Sequence, residues 1–127
     1  MKKIKVSVIL LNKKGHILLQ LRDEEPEKGK WVPFGGSVEE GETEEEALRR
    51  EIKEELSYDI KKPRFFKQYE LGGVSQPIYI VKEEIDIKDL KLGEGEEMKF
   101  FKPDEIQNLD IGFNYKEIIL DFLTSLL

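Results

Sequence analysis

The chain has 127 residues and no cysteine, which excludes disulfides, thiolate catalysis and cysteine-based metal centres. Hydrophobic residues make up 39% of the sequence and charged residues 38%, a balance typical of a folded, soluble domain rather than a disordered chain. The net charge of −6 argues against nonspecific nucleic-acid binding, and no apolar run approaches the roughly 20 residues of a membrane span. We therefore expect one cytoplasmic domain over residues 1–127, as a monomer or homodimer.

The N-terminal part of the chain predicts a β-hairpin. Apolar residues alternate along residues 4–11, residues 12–15 carry a turn signal, and Ile17–Leu21 reads as the returning strand. Polar residues 23–30 then predict a loop. A short, aromatic and glycine-rich segment follows at residues 31–36.

A helix is expected to begin at Thr43. Glu46 stands three residues later, and the two together form a capping box. The helix continues with an apolar stripe at helical spacing, made of Leu48, Ile52 and Leu56.

The second half of the chain predicts further strands. Residues 64–71 and 74–84 read as two strands joined at a pair of glycines, and residues 98–102 as a short strand after a Glu/Gly-rich loop at 92–97. Pro103 opens a short helical turn.

A closing helix is predicted near the end of the chain. Asn114 with Glu117 reads as a second capping box, and the apolar residues after it face one side: Tyr115, Ile118, Ile119, Phe122, Leu123 and Leu126. Strands and helices do not alternate regularly, so we expect an α+β fold with a mixed sheet between helices.

The segment 36–58 contains a spaced pattern of charged residues. Gly36 is followed after five residues by Glu42, and after seven more by Arg50-Glu51-Ile52-Lys53-Glu54-Glu55. At 100° per residue, Glu51, Glu54 and Glu55 share one arc of a helix. Like charges at this spacing destabilise a bare helix by about 0.2–0.5 kcal/mol per pair, whereas a hard divalent cation would stabilise them. The pattern therefore predicts a Mg²⁺ or Mn²⁺ site.

An acidic helix face also has an ordinary explanation. The chain contains 20 Glu, and most Glu pairs on helices are solvated surface. The positions of Gly36, Glu42 and Arg50 decide the matter, because a six-residue pattern of this kind occurs by chance in roughly one chain in 10⁴.

Residues 36–58 resemble the Nudix box of the Nudix hydrolases, G-x5-E-x7-R-E-U-x-E-E-x-G-U, where U is aliphatic. Three residues depart from the family pattern. Ser57 replaces a glycine, Tyr58 replaces an aliphatic residue, and Phe34 stands where most members have proline before the glycine pair. None of them replaces a carboxylate.

The resemblance implies an α/β/α sandwich and a hydrolase that cleaves a phosphoanhydride bond in a nucleotide. It implies that Glu51, Glu54 and Glu55 bind Mg²⁺, with Mn²⁺ as a substitute and the Gly35 carbonyl as a further ligand. Glu51 and Glu54 are the implied catalytic residues. The general base stays open between Glu51 and a glutamate of residues 94–97.

Glu42 and Arg50 are better interpreted as a structural ion pair that joins the loop to the helix than as substrate contacts. On the substrate side, Arg22 could meet phosphate oxygens, while Phe34, like Trp31, could stack on a base or belong to the core. Gly36 is a further candidate for substrate binding.

The substrate stays open among ADP-ribose, an oxidised dNTP, a dinucleoside polyphosphate, a nucleotide sugar and capped RNA. The alternative from another class is a Nudix-fold module that binds a nucleotide without turning it over. An isomerase of isopentenyl diphosphate is disfavoured because that activity needs a cysteine.

Overall fold

The computed structural model describes residues 2–93, 95 and 97–127. The strands within these residues are β1 (Lys5–Leu11), β2 (Ile17–Leu21), β3 (Trp31–Val32), β4 (Phe34–Ser37), β5 (Arg64–Leu71), β6 (Val74–Lys82) and β7 (Glu97–Phe101). The helices are α1 (Glu44–Leu56) and α2 (Tyr115–Ser125), with short 3-10 helices at Ile87–Asp89 and Pro103–Asn108. No helix in the described part of the chain is long and apolar enough to cross a membrane.

The strands form one mixed sheet, which confirms the predicted α+β fold. Its central order is β3-β2-β1-β6-β5, and β1 runs parallel to β6 while its other pairings are antiparallel. β1 and β2 pair only beside their turn, at Leu11 and Ile17. Farther along, β4 pairs with β1 and β3 pairs with β2. Strands β1 and β2 therefore separate beyond the turn.

Each face of the sheet is covered by one helix. Val6, Val8 and Leu10 of β1 belong to the cluster that contains the buried residues of α1, and Ile9 and Leu11 to the cluster that contains those of α2. Successive side chains of a strand point to opposite faces, so the apolar residues of β1 supply both cores. The α/β/α sandwich follows from this double burial.

Helix α1 begins at the capping box that its sequence predicts. The Thr43 hydroxyl accepts a hydrogen bond from the Glu46 amide at 3.1 Å, and the Glu46 carboxylate accepts one from the Thr43 amide at 2.8 Å. Ser57 then adopts the left-handed conformation, with φ 55° and ψ 37°.

The capping box predicted at Asn114 is wrong. Its side chain makes no capping hydrogen bond, although α2 does begin at Tyr115. The Asn114 amide instead exchanges two hydrogen bonds with the amide of Gln76 in β6, at 2.8 and 3.0 Å. A partner from the neighbouring strand therefore replaces the local one.

Candidate active site

Both glycines of the Gly35-Gly36 pair are required by close contacts. A Cβ on Gly35 would lie 2.1 Å from the carbonyl oxygen of Val6, so any side chain would collide with strand β1. A Cβ on Gly36 would lie 2.2 Å from the carboxyl carbon of Glu51. Strand β4 therefore accommodates β1 at one glycine and the Glu51 carboxylate at the next.

Glu42 and Arg50 form the predicted ion pair. The guanidinium donates from Nε and Nη2 to the two carboxylate oxygens of Glu42, at 2.7 and 3.0 Å, in the bidentate geometry that suits Arg and a carboxylate. Arg50 Nη2 also donates to the carbonyl of Ser37 at 3.1 Å. The hydrogen bond from Arg50, aided by the Glu39 amide, lowers the pKa of Glu42 to about 2. The pair joins α1 to the loop after β4.

The third nitrogen of the guanidinium faces the predicted metal ligands. Arg50 Nη1 lies 3.0 Å from a carboxylate oxygen of Glu51 and 3.6 Å from one of Glu54. The Glu51 side chain is 18% exposed and that of Glu54 is 59% exposed. One cation thus already lies between two of the three carboxylates.

The convergence of three carboxylates expected from the helical arc is not preformed. Among the described residues, no three Asp, Glu, His or Cys side chains lie close enough together to hold a metal ion. The physical reason is that Glu51 and Glu54 share Arg50, while Glu55 accepts a hydrogen bond from Gln20 at 3.4 Å. The donor set is all oxygen, which suits a hard divalent ion, but the side chains must rotate to surround it.

Glu55 lies in a cleft of about 120 Å³ where β1 and β2 diverge. Gly35 and Gln20 also line the cleft, and Gln20 donates to the Glu55 carboxylate. Gly95 reaches it from the loop before β7, and the Gly93 amide donates to the carbonyl of Glu55 at 2.7 Å. Glu94 and Glu96, two of the candidate general bases, lie outside the described residues.

The cleft is also lined by cationic and aromatic side chains. These are Lys5, Arg22, Phe113 and Tyr115, and the acidic Asp23 and Glu24 line it as well. The Arg22 guanidinium carbon lies 5.5 Å, and the Lys5 ammonium 5.7 Å, from the centre of the Phe113 ring. Arg22 Nε also donates to the Pro26 carbonyl at 2.8 Å, which anchors the side chain to its own loop. The cleft thus brings carboxylate oxygens and cationic side chains together.

The structure corrects the expectation for Phe34. Its ring is 0% exposed and belongs to the core beneath α1, so it has no free face on which a base could stack. Trp31 packs edge-on against Phe101 at 4.8 Å between ring centres. Gly36 meets the Glu51 carboxylate, and its substrate role stays a prediction.

Sequence reasoning missed Phe113 and Lys5. Phe113 follows the Ile-Gly pair before α2, far along the chain from the Nudix-like segment, and no local motif marks it. The one feature that could have pointed to it is that this aromatic residue lies outside the apolar stripe of the closing helix, so the helix packing does not account for it.

A family model described as a NUDIX domain matches residues 1–122 of the chain. The chain is 34% identical over 122 residues to an ADP-ribose pyrophosphatase of Methanocaldococcus jannaschii, an alignment that covers 90% of this chain and 69% of that protein. The family match thus agrees with the α/β/α sandwich and with the Nudix-like segment that carries the glycine and the carboxylates. The chain belongs to the Nudix hydrolases.

Two solved structures share the fold at low sequence identity. The MutT NUDIX hydrolase from Burkholderia pseudomallei superposes with a TM-score of 0.79 at 23% identity, covering 95% of this chain and 97% of that one. The NUDIX domain of Shewanella oneidensis NrtR, crystallised with ADP-ribose, gives a TM-score of 0.85 at 15% identity, covering 100% and 90%. Nudix hydrolases generally use divalent metal ions.

Proposed function

We propose that the protein hydrolyses a phosphoanhydride bond in a nucleoside diphosphate linked to another moiety, with Mg²⁺ as cofactor and Mn²⁺ as a substitute. The observation that carries the proposal is the cleft between β1 and β2. Glu55, Gly35, Arg22 and Lys5 all line it, together with two further acidic residues, Asp23 and Glu24. A diphosphate placed there would meet oxygen ligands for its counterion and two cationic side chains.

Glu51, Glu54 and Glu55, with the Gly35 carbonyl, would hold the metal ion. When bound, the ion neutralises charge on the diphosphate and lowers the pKa of a coordinated water. Arg50 compensates two of these carboxylates in its absence, and its bidentate contact with Glu42 keeps it at the site when they rotate away.

The protein's own groups bind the substrate and accept a proton. The water oxygen attacks phosphorus, the bond between phosphorus and the bridging oxygen breaks, and the bridging oxygen leaves on the other phosphate. The proton of the water passes to a carboxylate, either Glu51 or a glutamate of the 94–97 loop. Glu51 is supported by its position, since its carboxylate rests on Gly36 next to Gly35 of the cleft.

ADP-ribose is the first substrate to test, because the archaeal relative is named for it and the NrtR domain was crystallised with it. The panel also contains an oxidised dNTP, a dinucleoside polyphosphate, a nucleotide sugar and capped RNA. We expect chromatography to resolve two phosphorylated products for at least one of them. Hydrolysis in H₂¹⁸O should place the label on a phosphate product, and label on a sugar carbon would contradict the mechanism.

A nucleotide-binding module without turnover is the second candidate. The likeness to the NrtR domain in complex with ADP-ribose favours it. Tight nucleotide binding with no product from any substrate, in the presence of Mg²⁺ and Mn²⁺, would establish the module and reject the hydrolase. Cell fractionation tests the cytoplasmic location, and light scattering tests the monomeric or homodimeric state.

A further inference from the structure

Two residues near the cleft, one in the 23–30 loop and one just before α2, have positive φ although neither is glycine. Glu27 has φ 65° and Phe113 has φ 54°. The left-handed conformation costs a residue with a Cβ about 1–2 kcal/mol, and it is a clear outlier for an aromatic side chain. Such conformations persist where the surrounding structure holds them, and they concentrate at functional sites.

The two strained residues are bonded to each other. The Phe113 amide donates to the Glu27 carboxylate at 3.0 Å, across 86 positions of sequence. The second oxygen of Glu27 accepts from the Lys30 ammonium at 2.9 Å. The hydrogen bonds from Lys30 and from the Phe113 amide lower the pKa of Glu27.

The loops around this bond are closely packed. A Cβ on Gly112 would lie 3.2 Å from a methyl of Val32 and 3.3 Å from the Cβ of Glu27. The Gly112 amide also donates to the carbonyl of Trp31 at 2.9 Å. The segment before α2 is therefore fastened to both β3 and the 23–30 loop.

This fastening leaves Phe113 in the lining of the cleft. The residue is 38% exposed, and its ring contacts that of Tyr115 edge-on, at 83° and 6.1 Å. Two cations also lie against the ring, the Lys5 ammonium and the guanidinium of Arg22, which is anchored to the Pro26 carbonyl. An exposed cation–π contact contributes about 0.5–1 kcal/mol, whereas a base stacked on an aromatic ring contributes about 1–3 kcal/mol. A planar base can therefore displace the Lys5 ammonium from the ring and release it to phosphate.

We propose that Phe113 is the stacking surface for the base of the nucleotide, and that Glu27 is a positioning residue that holds its ring over the cleft. The inference rests on the proposed function only in taking a nucleotide as the ligand. Because stacking accepts any base, the surface contributes affinity and orientation rather than selection among bases.

The test measures binding of AMP and GMP, with ribose 5-phosphate as the matched ligand that lacks a base, by isothermal titration calorimetry. We expect Phe113→Leu to raise the Kd of both nucleotides by about 5- to 100-fold and to leave that of ribose 5-phosphate unchanged. Phe65→Leu is the matched control, since Phe65 is also exposed but lies on β5, away from the cleft.

Glu27 is tested by two variants. Glu27→Ala removes the acceptor of the Phe113 amide and should weaken AMP binding several-fold, whereas Glu27→Gln keeps an acceptor oxygen and should bind AMP within about twofold of wild type. Circular dichroism and unfolding midpoints are measured as controls to test whether each variant is folded. On a substrate that is turned over, Phe113→Leu should raise KM and leave kcat within about twofold.

Three results would overturn the inference. Wild-type protein could bind AMP no more tightly than ribose 5-phosphate, Phe113→Leu could bind AMP as wild type does, or the variant could weaken both ligands equally. Failure of the hydrolase proposal is a separate result, because it is the absence of turnover and leaves these binding measurements unchanged.

Discussion

Ser57 ends helix α1 at φ 55°, and its amide donates to the carbonyl of Lys53 at 3.0 Å. This is the position where the family pattern has glycine, and the backbone has kept the conformation that glycine adopts most easily. The Cβ of Ser57 therefore makes the left-handed conformation less favourable than it would be for glycine, although the amide hydrogen bond at the helix end requires it.

Replacing Ser57 with glycine should remove this disadvantage. We expect Ser57→Gly to raise the free energy of unfolding by a few tenths to about 1 kcal/mol, the gain being reduced by the greater freedom of glycine in the unfolded chain. Denaturant unfolding measures it. Ser57→Ala is the control, because it keeps a Cβ and should not gain; a destabilised Ser57→Gly would contradict the argument.

Glu42 makes a pH-dependent contribution to stability. Hydrogen bonds from Arg50 and from the Glu39 amide lower its pKa from 4.5 to about 2, so protonation is harder in the folded state. The stabilisation is fully present above pH 4.5 and is lost as the pH falls toward 2. We expect wild type to lose more stability than Glu42→Gln between pH 5 and pH 2.5.

Urea unfolding of the two proteins at several pH values measures this difference. Other carboxylates titrate in the same window, but they do so in both proteins and cancel in the comparison. If the free energies of unfolding of the two proteins changed in parallel with pH, Arg50 would not stabilise ionised Glu42 more than protonated Glu42.

At the scale of elements, α1 joins the core to the chemistry. Ala47, Leu48, Ile52 and Leu56 are fully buried against the sheet, while the carboxylates occupy the adjoining arc. Because the apolar stripe fixes the rotation of the helix about its axis, it also fixes where the carboxylates point. Core packing and site geometry are therefore set by the same few turns.

The glutamates of α1 should divide into two groups by function. We expect Glu51→Gln, Glu54→Gln and Glu55→Gln each to lower kcat by about 10²-fold or more, because each change removes a negatively charged ligand or a base. Steady-state kinetics on the substrate identified by the panel measures the effect.

The matched control for this series is Glu45→Gln. Glu45 is exposed in the first turn of the same helix, whereas Glu44 accepts a hydrogen bond from Tyr79 at 3.0 Å and is less neutral as a control. Equal losses in the control and in the three site variants would mean that the carboxylate arc is not the catalytic feature.

At the scale of the whole molecule, the sheet opens a cleft, and helix α1 places carboxylates beside it. Arg50 offsets part of the charge of these carboxylates. A divalent ion would still bind the folded state selectively, since the three carboxylates share a helical arc only when α1 is formed.

Two consequences of metal binding can be measured. Turnover should stop in EDTA and return with Mg²⁺ or Mn²⁺. At a Mg²⁺ concentration 100 times its Kd, the free energy of unfolding should rise by about 2.7 kcal/mol. K⁺ at equal ionic strength is the control for screening. Full activity after exhaustive chelation would contradict the role of the carboxylates.

The sequence by itself determined the features that depend on neighbours along the chain. The capping box at Thr43, the helix end at Ser57 and the shared arc of Glu51, Glu54 and Glu55 follow from interactions three or four residues apart. The Nudix-like spacing adds the pair of Glu42 and Arg50, whose contact the structure confirms.

Only the tertiary structure decided which aromatic ring faces the cleft and which polar group has a local partner. Phe34 is buried because β4 is sandwiched beneath α1, and Phe113 is exposed because Glu27 holds its backbone in an unfavourable conformation. Asn114 bonds to Gln76 of β6 and does not cap its own helix. Contacts across dozens of residues depend on strand register and loop packing, and no local periodicity or propensity encodes them.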